Sequence, residues 1–190
     1  MTHHDEVDSK TILGFWLYLL TDFMMFAALF ATYAVLVGGT AGGPTGKNLF
    51  CLSFTLIQTL ILLTGGFTSS LGEVMARRSN KAATLALFGM TLILGCLFLG
   101  MQMTEFSHLI SKGAGWDRSA FLSAFFTLVG TFAVHIILAL IWTVLFLWQV
   151  WQGGVTHVSV RRLSCLSMFW QFLNVVWVFI FSIVYLLGVQ

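Results

Sequence analysis

Polar side chains cluster at the N-terminus and in four short joints. Between them run five apolar stretches, 11–37, 49–74, 82–106, 119–151 and 163–189. Each exceeds the ~20 residues a helix needs to cross a hydrocarbon core of ~30 Å. The pattern therefore predicts an all-α integral membrane protein, a single membrane domain over 1–190 folded as a five-transmembrane-helix bundle. The joints are 38–47 (GGTAGGPTGK, with the only proline, Pro44), 75–81 (MARRSNK), 107–118 (SHLISKGAGWDR) and 152–162 (QGGVTHVSVRR). Connections this short suit a compact bundle. No internal repeat, low-complexity run or second domain is visible.

Orientation follows from the basic residues near the helix ends. The N-terminus and the second and fourth joints share one side with six Lys and Arg, against three on the other side. This predicts a cytoplasmic N-terminus and a periplasmic C-terminus. The first ten residues, MTHHDEVDSK, carry three acids against one lysine, and the apolar run that follows is too long for the core of a cleavable signal. The first helix is expected to be retained, with His3 and His4 solvated in a cytoplasmic tail.

Composition sharpens this picture. The chain is 58% hydrophobic and 8% charged, whereas soluble domains run about 45–50% apolar and about 25% charged. A net charge of +2 offers no broad basic field for nucleic acid. The three cysteines, Cys51, Cys96 and Cys165, fall at different depths, which argues against a disulfide framework.

Charged groups inside a bilayer need a reason, since Asp near a helix centre costs roughly 2.5–3.5 kcal/mol. Asp22 lies about eleven residues into the first span and reads either as a proton or lipid site or as a buried anchor for helix packing. Glu73 and Arg77, one turn apart at a helix end, read as a surface salt bridge. Glu105 has Gln102 three residues before it and His108 three after, a group suited to a headgroup, a partner subunit or an interfacial cap. His135 stands alone near the middle of the fourth span; heme or metal ligation would need further donors at its depth, and the other histidines sit at or beyond helix ends. Gln171 and Asn174, flanked by Trp170 and Trp177, suit interhelical hydrogen bonding. Small residues four apart, among them Ala27 and Ala31, Gly65 and Ser69, Gly66 and Ser70, suit close helix approach.

Taken in order, these segments resemble subunit III of the heme-copper terminal oxidases. The likeness rests on GFWLYLLTDFMMFAALFATYAVL around Asp22, GTAGGPTGK, QMTEFSHL around Glu105, SAFFTLVGTFAVHI with Gly130 and His135, and SMFWQFLNVVWVFIFSIVYLLG. Five spans, rather than seven, make the chain most similar to the cytochrome bo-type ubiquinol oxidase branch. Departures exist. Phe132 stands where the family often has the first of two histidines, Gln171 where His is usual, and Asn174 where Asp is usual. An amide does not exchange a proton at neutral pH, which counts against a relay along the last helix.

The resemblance implies a non-catalytic subunit in the bacterial inner membrane, free of cofactors. Hemes and copper are expected in a partner subunit I, with subunits I, II and IV as protein partners and phospholipid bound. It implies support of assembly, stability and proton uptake. It carries Asp22 and Glu105 over as interior or interfacial polar sites, and offers Arg77, Arg78, Arg161 and Arg162 as contacts for cytoplasmic headgroups. Two alternatives stand beside it. One is subunit III of a cytochrome c oxidase. The other is an independent proton-coupled transporter using Asp22, Glu105 and His135, a class that usually shows internal symmetry and broken helices.

Overall fold

A computed structural model describes residues 3–37, 52–113, 115 and 119–186. They form α1 (His3–Leu36), α2 (Leu52–Arg77), α3 (Lys81–Ser111), α4 (Ala120–Gly153) and α5 (His157–Ile180), the last continuing into a π-helical turn, Phe181–Leu186. Five segments are long and apolar enough to cross a membrane: Lys10–Leu36, Leu52–Arg77, Lys81–Ser111, Ala120–Gly153 and Val158–Leu186. The chain is a multi-pass membrane protein. The joint with Pro44, the residue Cys51 and the tip of the last predicted span lie outside the described residues.

The helices outrun the apolar stretches, and the differences share one cause. Apolar runs mark the part of a helix that meets hydrocarbon, while the backbone goes on hydrogen-bonding into the headgroup layer until a cap stops it. So α1 begins near His3, within the segment expected to be a tail, α2 runs three residues past 74, and α3 extends to Ser111. α5 starts six residues early, at His157 rather than 163. Thr156 caps it, its Oγ1 accepting from the Ser159 amide at 3.2 Å. Asn80 caps α3 through the Ala83 amide at 3.2 Å, and Ser119 caps α4 through the Leu122 amide at 3.2 Å. Gly154 ends α4 at φ +72°, a left-handed conformation that glycine adopts without steric cost.

The polar end groups show which helix ends lie together. Arg77 at the end of α2 meets Ser164 near the start of α5, Lys81 at the start of α3 reaches the Trp151 carbonyl near the end of α4, and Arg162 donates to Gln149. A cavity wall combines Thr11 of α1 with Arg161 of α5. One end of the bundle thus gathers Lys10, Arg77, Arg78, Lys81, Arg161 and Arg162, whereas Lys112 lies past the far end of α3.

Two helices make the centre. α5 packs on α2, α4 and α1, while α4 packs on α3, α5 and α1. Their fully buried rings include Phe125, Phe132, Trp170 and Trp177. Trp177 meets the Phe98 ring edge-on at 4.7 Å and lies 5.1 Å from Phe132. Aromatic pairs of this geometry add about 0.5–1.5 kcal/mol beyond the area they bury. α1 is peripheral. It seats Phe15, Phe26 and Tyr33 against Trp142, Phe132 and Phe121, and most of the other side chains from Lys10 to Leu36 face outward.

Candidate functional site

Several polar residues at membrane depth meet a partner on another helix. Asp22 on α1 faces His135 on α4, with Oδ2 3.5 Å from Nε2. Tyr18, one turn before Asp22, turns its hydroxyl toward the same carboxylate. The Nδ1 of His135 lies 2.8 Å from the Thr131 carbonyl one turn earlier on α4. The rings of Phe26 and Phe169 stand 5.2 and 6.5 Å from the imidazole. His135 is therefore not alone at its depth. The two partners are 113 positions apart in the chain; the usable signal was that antiparallel helices sharing the basic end bring them to similar depth.

A second polar group forms toward the other end of the bundle. Gln58 Nε2 donates to Gln102 Oε1 at 2.8 Å, Gln102 Nε2 donates to Glu105 Oε2 at 3.2 Å, and the Tyr185 hydroxyl donates to the same Glu105 oxygen at 3.0 Å. Three segments, α2, α3 and the π turn, are pinned together. The expected grouping with Gln102 holds, but His108 points outward and is exposed. Three residues beyond Glu105 on a helix is a rotation of about 300°, and here it carries the ring off the buried face. Nothing in the local pattern distinguished Tyr185 as the second partner.

Gln171 and Asn174 join α5 to α2 where small residues allow contact. Gln171 Nε2 donates to the Gly66 carbonyl at 2.9 Å and to Ser70 Oγ at 2.5 Å. Asn174 donates to the Trp170 carbonyl at 2.9 Å, and its amide lies flat against Gly66, where a Cβ would collide with it. The indoles of Trp170 and Trp177 donate to Thr143 and Thr59 at 3.2 and 2.9 Å. Gln171 thus makes interhelical hydrogen bonds, whereas the hydrogen bond of Asn174 stays within α5 and its side chain meets α2 through packing on Gly66. Ala27 and Ala31, by contrast, are exposed and join no helices among the described residues.

At the basic end, Glu73 and Arg77 form the expected pair at 2.8 Å. Ser164 closes it into a triangle, donating to Glu73 at 2.8 Å and accepting from Arg77 at 3.0 Å. Glu73 also forms part of a groove of about 480 Å³ between α1, α2 and α5. Its walls are mainly apolar, with Trp16, Leu20, Phe23 and Phe172, and Glu73, Ser70 and Gln171 supply polar atoms. Arg161 lines a smaller cavity with Tyr18, and Arg78 is exposed. Cys96 is exposed and Cys165 buried, both as free thiols. Among the described residues, no group of three or more His, Cys, Asp and Glu converges as a metal site would require.

These features define a class: a multi-pass helical membrane bundle whose interior polar side chains mainly hold helices to one another. The sequence comparisons narrow it. Residues 1–189 match the family described as cytochrome c oxidase subunit III. The chain is 47% identical, over 98% of its length and 89% of the relative, to the cytochrome bo(3) ubiquinol oxidase subunit 3 of Pseudomonas aeruginosa. It is 38% identical to a cytochrome c oxidase subunit 3 of Alkalihalophilus pseudofirmus, covering 93% of this chain and 86% of the relative. A quinol oxidase subunit 3 of Bacillus subtilis is 37% identical, over 99% of this chain and 92% of the relative. The chain belongs to the subunit III family of terminal oxidases.

Proposed function

We propose that this chain is the accessory subunit III of a cytochrome bo-type ubiquinol oxidase in a bacterial inner membrane. Hemes, copper, quinol oxidation and oxygen reduction lie in a partner subunit I, with subunits II and IV completing the complex. The N-terminus and the basic end face the cytoplasm, in keeping with the charge asymmetry of the helix ends. One observation carries the accessory role: Asp22, Glu105, Gln171 and Asn174, the polar groups that looked chemically useful, lie against side chains or backbone of other helices. Affinity purification in mild detergent tests this reading. The chain should bring down a complex with heme absorbance that oxidises quinol in preference to cytochrome c, and it should show no heme absorbance when expressed alone. Preference for cytochrome c would favour the cytochrome c oxidase reading, which the relative from Alkalihalophilus supports. Proton flux through the purified chain in vesicles, abolished by Asp22→Asn, would favour the transporter.

The groove between α1, α2 and α5 is the proposed seat of a bound phospholipid. Its apolar walls suit acyl chains, and Glu73 with neighbouring Arg77 offers opposite charges to a zwitterionic headgroup. Leu20→Trp, which fills the groove, should lower the phospholipid that remains with the complex after extensive detergent washing, measured by native mass spectrometry. Unchanged lipid content would place the lipid elsewhere.

A further inference from the structure

The contact between Asp22 and His135 constrains how many protons the two side chains carry. The Nδ1 of His135 lies 2.8 Å from the Thr131 carbonyl. A carbonyl oxygen only accepts, so Nδ1 must bear hydrogen. In a neutral imidazole the other nitrogen, Nε2, is then a bare acceptor, because the bond made by one ring nitrogen sets the tautomer of the other. This bare nitrogen faces Oδ2 of Asp22 at 3.5 Å. That oxygen is buried and receives no hydrogen bond from the described residues. An ionised carboxylate against a neutral imidazole would therefore set two acceptors face to face and leave a net negative charge near the middle of the span, both unfavourable.

We propose that Asp22 and His135 together bind one proton at neutral pH and form a unit with no net charge. Whether the proton lies on Nε2, as imidazolium beside carboxylate, or on Oδ2, as carboxylic acid beside imidazole, it supplies the hydrogen that the contact lacks. The surroundings favour a neutral unit. From α1 the titratable neighbour is Tyr18, one turn before Asp22 on the same helix. From α4 the neighbours are the Thr131 carbonyl and the Phe132 ring that meets Phe26. From α5 they are Phe169 and Phe172. The charged groups next in line, Arg161 and Arg162, line a cavity with Tyr18 and Cys165 on its basic-end side. This proton site does not depend on which oxidase the chain serves.

Two spectra on the full chain in its purified complex count the protons. Nitrogen-15 NMR of ring-labelled histidine, with His135→Gln subtracted, reports both nitrogens of His135. Infrared difference spectra with carbon-13 aspartate, with Asp22→Asn subtracted, report whether Asp22 is acid or carboxylate. The expected result is one of two combinations, doubly protonated His135 with carboxylate, or neutral His135 protonated on Nδ1 with a carboxylic acid. Asp22→Asn should leave His135 neutral in either case, since the amide N–H takes the place of the shared proton. Neutral His135 beside a carboxylate would overturn the proposal, as would imidazolium beside a carboxylic acid.

Discussion

At the scale of single residues, the seams that α2 and α3 make with their neighbours have almost no spare room at three glycines. A Cβ on Gly66 would collide with the Asn174 amide, one on Gly72 would meet the Phe88 ring at 2.5 Å, and one on Gly95 would meet Leu140 and the Trp170 ring at 2.7 and 2.8 Å. Overpacking of this kind typically costs about 1–3 kcal/mol. Gly66→Ala should therefore destabilise the purified chain by roughly that amount in SDS-titrated unfolding. Gly100→Ala, with nothing within 4 Å of the added Cβ, should be neutral or gain up to ~1 kcal/mol of helix propensity. Tyr185→Phe removes one of the two donors to the Glu105 oxygen and should cost about 1 kcal/mol by the same measurement. Asp22 was legible as a residue needing a partner, because a mid-span carboxylate is expensive anywhere. That His135 is its partner was not legible, because depth can be counted along one helix whereas the facing of two helices depends on the rotation of each.

Among elements, all five spans could be read from apolar run length alone, and their ends could not. The signals for the ends were present but modest: Thr156, Asn80 and Ser119 are ordinary polar residues until the backbone places their oxygens over the first free amides. Thr156 lies in the polar joint 152–162, because the segment from His157 to Arg162 is too polar to read as membrane helix. Thr156→Ala should lower stability by about 0.5–2 kcal/mol, the usual loss for an N-cap, and should raise amide hydrogen exchange over the first turn of α5 ahead of the rest of the bundle. The π turn at Phe181–Leu186 had no sequence signature, yet it sets Tyr185 on the face that meets Glu105. Irregular turns of this kind follow from tertiary contacts as much as from local preference.

The whole molecule is a tightly joined set of four helices with a fifth laid against one side. α2, α3, α4 and α5 share the Trp, Phe and Gln contacts of the interior, while α1 packs on α4 and α5. That arrangement has a consequence for biosynthesis. α1 is translated before the other four helices, and both helices that hold it come after α2 and α3, so it must enter the bilayer and wait. His135 follows Asp22 by 113 residues, a delay of roughly 6–23 s at a synthesis rate of about 5–20 residues per second. During that interval the carboxyl of Asp22 has no imidazole to meet, and the membrane-insertion machinery or the lipid around it must accommodate the helix unaided. Replacing Asp22 with leucine should thus speed stable insertion of α1 in a truncated nascent chain while weakening its later docking, two effects of opposite sign that a stalled-ribosome crosslinking series would separate by chain length.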